Sequence, residues 1–163
     1  YVRAINDLKN AGAEIVEFKA EDIDLPNFLR LLNLDMKKDL PAYFKSSGGN
    51  SGYESVQDVI SYNDKDSLNR APYGQALFLG IVKDSATDEE FAAIKDTLKT
   101  NGTRFFEKPM KEHNLDALLS MHNYHASYAA RTKFPALIVP MGYTSENRPK
   151  GLNFIGQPFT EAQ

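Results

Sequence analysis

The order of apolar and polar residues predicts a helix followed by a strand at the start of the chain. Ala4, Ile5 and Leu8 form one helical stripe, and Gly12 ends that stripe. The next stretch, AEIVEF at 13–18, alternates apolar and acidic residues and contains a β-branched pair, which favours a strand. A helix, a glycine and a strand in this order make one half of an α/β unit.

The pattern of residues 26–45 predicts a long helix. Pro26 suits its first turn and Asp24 its cap, while apolar residues continue at helical spacing as far as Leu40. Pro41 lies inside this pattern and lacks the backbone N–H that a helix interior needs. We therefore expect a kink or a new turn at Pro41.

Capping motifs predict the helices that follow. Ser55 and Asp58 form an S-x-x-D cap ahead of a short helix, and residues 74–83 form another. Thr87 and Glu90 form a T-x-x-E capping box at the start of a long helix.

The last third of the chain predicts three strands. DALLSM (116–121), PALIVPMGY (135–143) and GLNFIG (151–156) are apolar runs of strand length. The polar stretch TSENRPK separates the last two, and the Ala-rich segment 125–134 predicts a helix. With the first strand, the pattern predicts about four strands and six or seven helices, hence an α/β fold whose sheet is covered by helices on both faces.

Composition adds limits without naming a reaction. The chain has 163 residues, 42% hydrophobic and 25% charged, which is typical of one soluble globular domain. With a net charge of −3, the chain lacks the excess of positive charge that would indicate nucleic-acid binding. No apolar run approaches the roughly 20 residues that cross a bilayer. The absence of cysteine excludes disulfides, thiol catalysis and Cys-ligated zinc.

The stretch YFKSSGGNSGYES (43–55) has the composition of a catalytic serine loop. Its hydroxyls could supply a nucleophile and its glycines could expose amide donors for an oxyanion. However, no strand precedes it, and Lys45 and Ser46 are neighbours that face different ways on a helix. We interpret the stretch as the end of a helix followed by a linker.

The other polar candidates surround the strand 116–121. His122 and His125 form H-x-x-H, but zinc sites commonly need three or four ligands and no third is signalled nearby, so we predict no metal. Asn123 and Tyr124 follow the strand directly, where open α/β sheets bind ligands. They could equally cap the next helix, and the residues alone leave the two roles open.

The last thirty residues carry a motif that identifies a family. FPALIVPMGYTSENRPKGLNFIGQPFTEA (134–162) resembles the C-terminal block of the amidase signature family, with the right spacing throughout. The residues that match this block are Phe134, Pro135, Ala136, Val139, Pro140, Gly142, Tyr143, Gly151, Leu152, Phe154, Ile155, Gly156, Phe159, Glu161 and Ala162.

Upstream stretches are similar to the same family, so the resemblance covers essentially the whole chain. LKNAGAEIVEF looks like the family's helix-to-strand unit, and HNLDALLS looks like the strand that enters its pocket region. DMKKDLPAYFKS, SVQDVISYN and YGQALF are similar to free-standing bacterial amidases. Pro41 and Lys133 depart from the usual residues.

This resemblance implies a mixed-sheet amidase signature fold, of which residues 1–163 would be the C-terminal portion. The family hydrolyses carboxylic amide C–N bonds through an acyl-enzyme, using a lysine, a serine in a cis peptide and a nucleophilic serine. All three belong to the N-terminal half of the family, so the resemblance assigns no catalytic residue to this chain and implies that the chain alone is inactive. It makes Met121, Asn123 and Tyr124 the candidate substrate-pocket residues, with no cofactor and no metal.

The resemblance also sets the expected partners. They are the N-terminal half of the same amidase and a small amide substrate. We expect no nucleic-acid partner and no membrane partner, and we expect the protein to be located in the cytoplasm. A shared sheet would leave an edge or an apolar face uncovered, so we expect self-association, for example as a homodimer. Two alternatives remain at this stage: a stand-alone binding domain without chemistry, and part of an amidotransferase A-type subunit. The first residue, Tyr1, is consistent with a piece of a longer chain.

Overall fold

The computed structural model describes residues 1–46 and 52–160. The chain divides into two compact units, one made of residues 1–25 with the chain from Thr97 onward, the other of Pro26–Asp96. Within the described residues there are seven helices and three strands: α1 (Val2–Asn10), α2 (Phe28–Ser46), α3 (Val56–Asp64), α4 (Ser67–Arg70), α5 (Ala76–Lys83), α6 (Asp88–His113), β1 (Ala117–Met121), α7 (Ala126–Thr132), β2 (Ala136–Tyr143) and β3 (Pro149–Gly156). None of the helices in these ranges is both long and apolar enough to cross a membrane.

The unit Pro26–Asp96 is helical, and its long helix α2 differs from the prediction at its start. Asn27 has a positive φ of 61°, so α2 begins at Phe28, and neither Asp24 nor Pro26 takes part in it. A residue with a left-handed backbone cannot lie inside a right-handed helix, so a helix that included Pro26 could not continue through Asn27. At the other end, α2 continues through Pro41 to Ser46. The small core of this unit is Val56, Ile60 and Ile81.

Both predicted capping boxes are confirmed. The Asp58 amide donates to Ser55 Oγ at 3.2 Å, and the Ser55 amide donates to an Asp58 carboxylate oxygen at 2.9 Å. At the start of α6, the Glu90 amide donates to Thr87 Oγ1 at 3.2 Å, and the Thr87 amide donates to Glu90 at 3.1 Å. Each box satisfies amides that have no partner inside their helix.

The other unit contains the sheet. The three strands lie in the order β1-β3-β2 and all pairs are antiparallel, with Leu118 opposite Ile155 and Ile155 opposite Ala136. Helices α6 and α7 pack on the face that carries Leu118 and Ile155. The core there consists of Phe106, Met110, Leu118, Ala129, Phe134 and Ile155.

The strand predicted at AEIVEF is wrong. Residues 13–25 are extended but belong to no helix or strand, and no described strand pairs with them. The local sequence favours an extended backbone, whereas a strand also needs a neighbour to complete its hydrogen bonds. The described chain therefore has three strands, where the pattern predicted four.

Strand β2 is much more exposed than β1 and β3. The side chains of Leu137, Ile138 and Tyr143 are exposed by 65%, 54% and 71%. β2 is also an edge strand, since β3 is its only partner within the described residues. The expected self-association stays a prediction, and β2 is the apolar edge at which we would look for it.

Candidate functional site

The connection between β1 and α7 brings the predicted pocket residues together in one tight turn. β1 ends at Met121 and α7 begins at Ala126. The Tyr124 amide donates to the Met121 carbonyl at 3.1 Å, and the Ala126 amide donates to the Asn123 carbonyl at 3.0 Å. The polar groups of residues 122–125 are thereby fixed at the end of a sheet strand.

Two histidines in this turn have left-handed backbones. His122 has a φ of 54° and His125 a φ of 68°. A non-glycine residue in this region is uncommon and costs free energy, so the surrounding structure must hold it there. One of the stabilising contacts is the hydrogen bond that the His122 amide donates to the Gly151 carbonyl of β3 at 2.8 Å. Such residues cluster at ligand sites, and the occurrence of two of them within four positions makes this turn a candidate site.

A buried polar pair supports the turn from below. Ser120 and Asn153 lie opposite each other on β1 and β3, and only 7% and 4% of their surfaces are exposed. Asn153 Nδ2 donates to Ser120 Oγ at 3.4 Å, and Ser120 Oγ donates to the Tyr124 carbonyl at 2.9 Å. This pair was not predicted. The signal was a single polar residue in each of two otherwise apolar strand segments, Ser120 in ALLSM (117–121) and Asn153 in GLNFIG (151–156).

The three predicted pocket residues lie on the outer side of this turn. Met121 is 39% exposed and Tyr124 59% exposed, and Asn123 is also exposed. The Tyr124 ring lies edge-on to the His122 ring, with centroids 6.2 Å apart. These side chains are therefore available to a ligand, while their role in substrate binding stays a prediction.

The two histidines of H-x-x-H make different contacts. His122 lies beside Tyr124, whereas His125 packs against Phe105 and Tyr128, with ring centroids 5.0 and 6.0 Å away. His125 as a whole is exposed, but partial desolvation of its ring lowers its pKa below the ordinary value, because desolvation disfavours the charged imidazolium. Among residues 1–46 and 52–160 no group of three or more His, Asp or Glu could hold a metal ion.

This pKa predicts a pH dependence of stability. Because the pKa of His125 is lower in the folded chain, the unfolded chain binds more protons as the pH falls below about 6.5, the ordinary histidine pKa. We expect the wild type to lose more unfolding free energy between pH 7.5 and pH 5 than His125→Gln. Urea titrations at pH 7.5 and pH 5 measure the unfolding free energy of both proteins. Any cost of the substitution that does not depend on pH cancels when the two losses are compared. Equal losses in the two proteins would contradict the assignment.

A cavity of about 470 Å³ lies beside the turn, within the unit that contains the sheet. Ser120 and His125 contribute its polar lining at the turn. Most other lining residues are apolar and come from α1, the extended segment after it, α6 and β1, among them Ile5, Ile15, Phe18, Phe105, Leu115 and Leu118. Its volume lies in the range of small-molecule sites, roughly 300–1,000 Å³.

The serine-rich stretch does not join this site. Ser46 is the last residue of α2, in the helical unit, and its hydroxyl donates to the Tyr43 carbonyl at 2.9 Å. This agrees with the interpretation of Ser46 as a helix end. Residues 47–51, with Ser47, lie outside the described residues.

Comparison with known proteins identifies relatives of the whole chain. A curated Arabidopsis thaliana protein named "probable amidase" is 30% identical over 129 residues, which are 78% of this chain and 25% of that protein. An amidase family protein from Bacillus anthracis is 30% identical and superimposes with a TM-score of 0.86, over 98% of this chain and 32% of its own. No family model matches the chain.

A second solved structure shows the same fold at lower identity. The peptide amidase from Stenotrophomonas maltophilia is 23% identical, with a TM-score of 0.80 over 97% of this chain and 35% of its own. The chain thus spans between about a quarter and a third of the length of these relatives. It is a relative of amidase-family proteins in sequence and in fold, and it matches one part of their length.

Proposed function

We propose that residues 1–163 are the C-terminal portion of an amidase that hydrolyses carboxylic amide C–N bonds. The observation that carries the proposal is the 30% identity and TM-score of 0.86 to an amidase family protein over 98% of this chain. The curated amidase relative supports the same reaction class. Because the match spans about a third of that structure, the activity is proposed for the longer protein.

The proposed chemistry uses residues outside this chain. A neutral lysine takes a proton through a bridging serine, and the nucleophilic serine attacks the amide carbonyl while backbone amides stabilise the oxyanion. Ammonia or an amine leaves, and water releases the acid from the acyl-enzyme. We assign no catalytic residue to residues 1–163, and we expect the chain alone to be inactive.

The part that this chain contributes is one wall of the substrate pocket. Met121, Asn123 and Tyr124 present a thioether, an amide and a phenol at an exposed edge of the sheet. The Ser120 hydroxyl fixes this edge by donating to the Tyr124 carbonyl, and the β3 carbonyl of Gly151 fixes it at His122. A rigid turn of this kind can orient an amide substrate at a low entropic cost.

Ammonia release from small primary amides tests the proposal. The protein encoded together with its upstream sequence should hydrolyse an aliphatic, an aromatic or a peptide amide, and residues 1–163 alone should not. Ser46→Ala in the longer protein should leave the rate unchanged. Hydrolysis by the chain alone that Ser46→Ala abolishes would place the nucleophile in α2 and overturn the assignment.

Two other results would point to the alternative functions. A longer protein that binds amides but releases no ammonia would be a binding domain. One that transfers ammonia to an acceptor only within a complex would be an amidotransferase subunit.

Asn123→Ala and Tyr124→Phe should raise KM of an active amidase more than they lower kcat, because both side chains are proposed to bind the substrate and not to react with it.

A further inference from the structure

We propose that Lys150 determines the substrate specificity of the proposed amidase by selecting amides that carry a carboxylate. Its ammonium binds that carboxylate, and Met121 contacts the apolar part of the substrate between the carboxylate and the amide. The substrate class is therefore the half-amides of dicarboxylic acids. This inference deepens the proposed function and rests on it, because Met121 belongs to the proposed wall of the substrate pocket.

Lys150 lies on the same face of the sheet as Met121. Met121 is opposite Leu152 in the β1–β3 register, and Lys150 is two residues from Leu152 along β3, so all three side chains project from one face. Gly151 faces the other way, because a Cβ added to it would lie 2.5 Å from the end of the Ile138 side chain. The alternation along β3 thus places Lys150 on the Met121 side.

The side chains of Lys150 and Met121 are close enough to contact one ligand. Diagonal neighbours on one face of an antiparallel pair are about 7–8 Å apart, which is within the reach of a long side chain. The backbone fixes their separation, because the His122 amide donates to the Gly151 carbonyl at 2.8 Å, one residue from each of them. Lys150 therefore adds a cation to the edge of the proposed pocket wall.

The Lys150 ammonium has no partner within residues 1–46 and 52–160. No hydrogen bond, ion pair or ring contact joins it to another described residue, although the residue is half-buried. Arg148, two residues earlier on the same hairpin, is already paired with Glu146 at 3.0 Å. Partial burial of a cation without a counter-charge costs free energy, and an anionic ligand offsets that cost.

The family motif does not account for this lysine. Lys150 lies inside the C-terminal block at 134–162 but is not among the residues that match it, whereas the next two residues, Gly151 and Leu152, do match. The charge at position 150 is thus a property of this chain, and the inference concerns the preference of this protein among amides.

The two side chains define the kind of substrate. An ammonium group is a compact charge that donates hydrogen bonds and accepts none, so its complement is an anionic oxygen. Met121 is 39% exposed and presents a flexible apolar side chain, which suits an aliphatic chain. A straight-chain half-amide has a carboxylate at one end, an apolar chain and the scissile amide at the other end, so it matches both groups.

Hydrolysis of matched pairs of substrates by the longer protein tests this inference. Each pair consists of a straight-chain half-amide of four to eight carbons and the neutral primary amide of the same chain length. For at least one pair, kcat/KM of the half-amide should be higher by at least about tenfold, the contribution of a hydrogen bond to a charged group. Lys150→Met should remove this preference by raising KM of the half-amide, and should leave KM of the neutral amide unchanged.

Two further variants separate a direct contact from a general effect of charge. Arg148→Met removes the same charge two residues away and should leave the preference unchanged, because Arg148 is exposed and paired with Glu146. Lys150→Arg should keep most of the preference, since it retains a cation at position 150. If no half-amide is preferred, or if Lys150→Met lowers kcat/KM of both members of a pair equally, Lys150 does not bind a substrate carboxylate.

A binding measurement distinguishes the failure of this inference from the failure of the proposed function. The dicarboxylate with the chain length of the preferred half-amide, or each of the five if none is hydrolysed, is titrated into the longer protein by calorimetry. One of them should bind at least about tenfold more weakly after Lys150→Met. Such binding by a protein that hydrolyses no amide would overturn the proposed function and leave the carboxylate site in place. Hydrolysis of neutral amides without a preference for half-amides would do the reverse.

Discussion

Phe106→Ala is expected to destabilise the sheet-containing unit by about 3–5 kcal/mol, the range for emptying a fully buried aromatic site. Phe106 is 0% exposed, and its ring lies 5.0 Å from that of Phe134 and 5.3 Å from that of Phe105. It comes from α6 and contacts the cluster that joins α6 and α7 to the sheet. The substitution removes these contacts and leaves a cavity that neighbouring rings can fill only in part.

The free energy of unfolding, measured by urea denaturation, checks this prediction. Phe159→Ala is the matched control, since Phe159 is 95% exposed and its replacement should change stability by less than about 0.5 kcal/mol. Similar losses for the two variants would mean that Phe106 is not in the core. Domains of this size are stable by about 5–15 kcal/mol, so Phe106→Ala should remove a large share of the total.

Asn153→Asp is the second large effect, and it tests the buried polar pair beneath the candidate site. The new side chain has the same shape but carries a charge, and residue 153 is only 4% exposed. Ser120 cannot compensate, because its single hydroxyl proton is donated to the Tyr124 carbonyl. An uncompensated buried charge costs about 3–5 kcal/mol, so we expect a loss of that order at pH 7.5.

The pH dependence of this loss distinguishes charge from shape. Burial raises the pKa of a carboxyl group in the folded state above its unfolded value of about 3.9. The variant should therefore approach wild-type stability below pH 4, where the group is protonated in both states, and lose stability as the pH rises through the folded pKa. Gln157→Glu, an exposed amide-to-carboxyl change, should show no such loss. A pH-independent loss in Asn153→Asp would mean that geometry and not charge is responsible.

The sequence was a good guide wherever the cause of structure is local. Both capping boxes depend on residues three apart, and both formed as predicted. The three C-terminal strands and the helix between them also follow from short apolar runs and turn residues. The start of α2 was missed because the preference of proline for the first helical turn says nothing about the next residue, Asn27, whose φ is positive. The four-residue helix α4 was missed because it is too short to show a period.

The candidate site was only partly predictable, since its supports lie far apart in the sequence. Asn123 and Tyr124 were chosen as candidates because they follow a strand directly, and their role in substrate binding stays a prediction. Ser120 and Asn153 were not, because 33 residues separate them and only the β1–β3 register makes them neighbours.

The sequence by itself determined the α/β class, the main helices and strands, and the amidase resemblance, because caps, periodicity and motif spacing are local properties. Tertiary structure decided which extended segments become strands. AEIVEF and DALLSM were both predicted to be strands, but β1 has β3 beside it and residues 13–18 have no described partner. A strand exists only when a second backbone completes its hydrogen bonds, and that backbone is supplied by the fold and not by the segment.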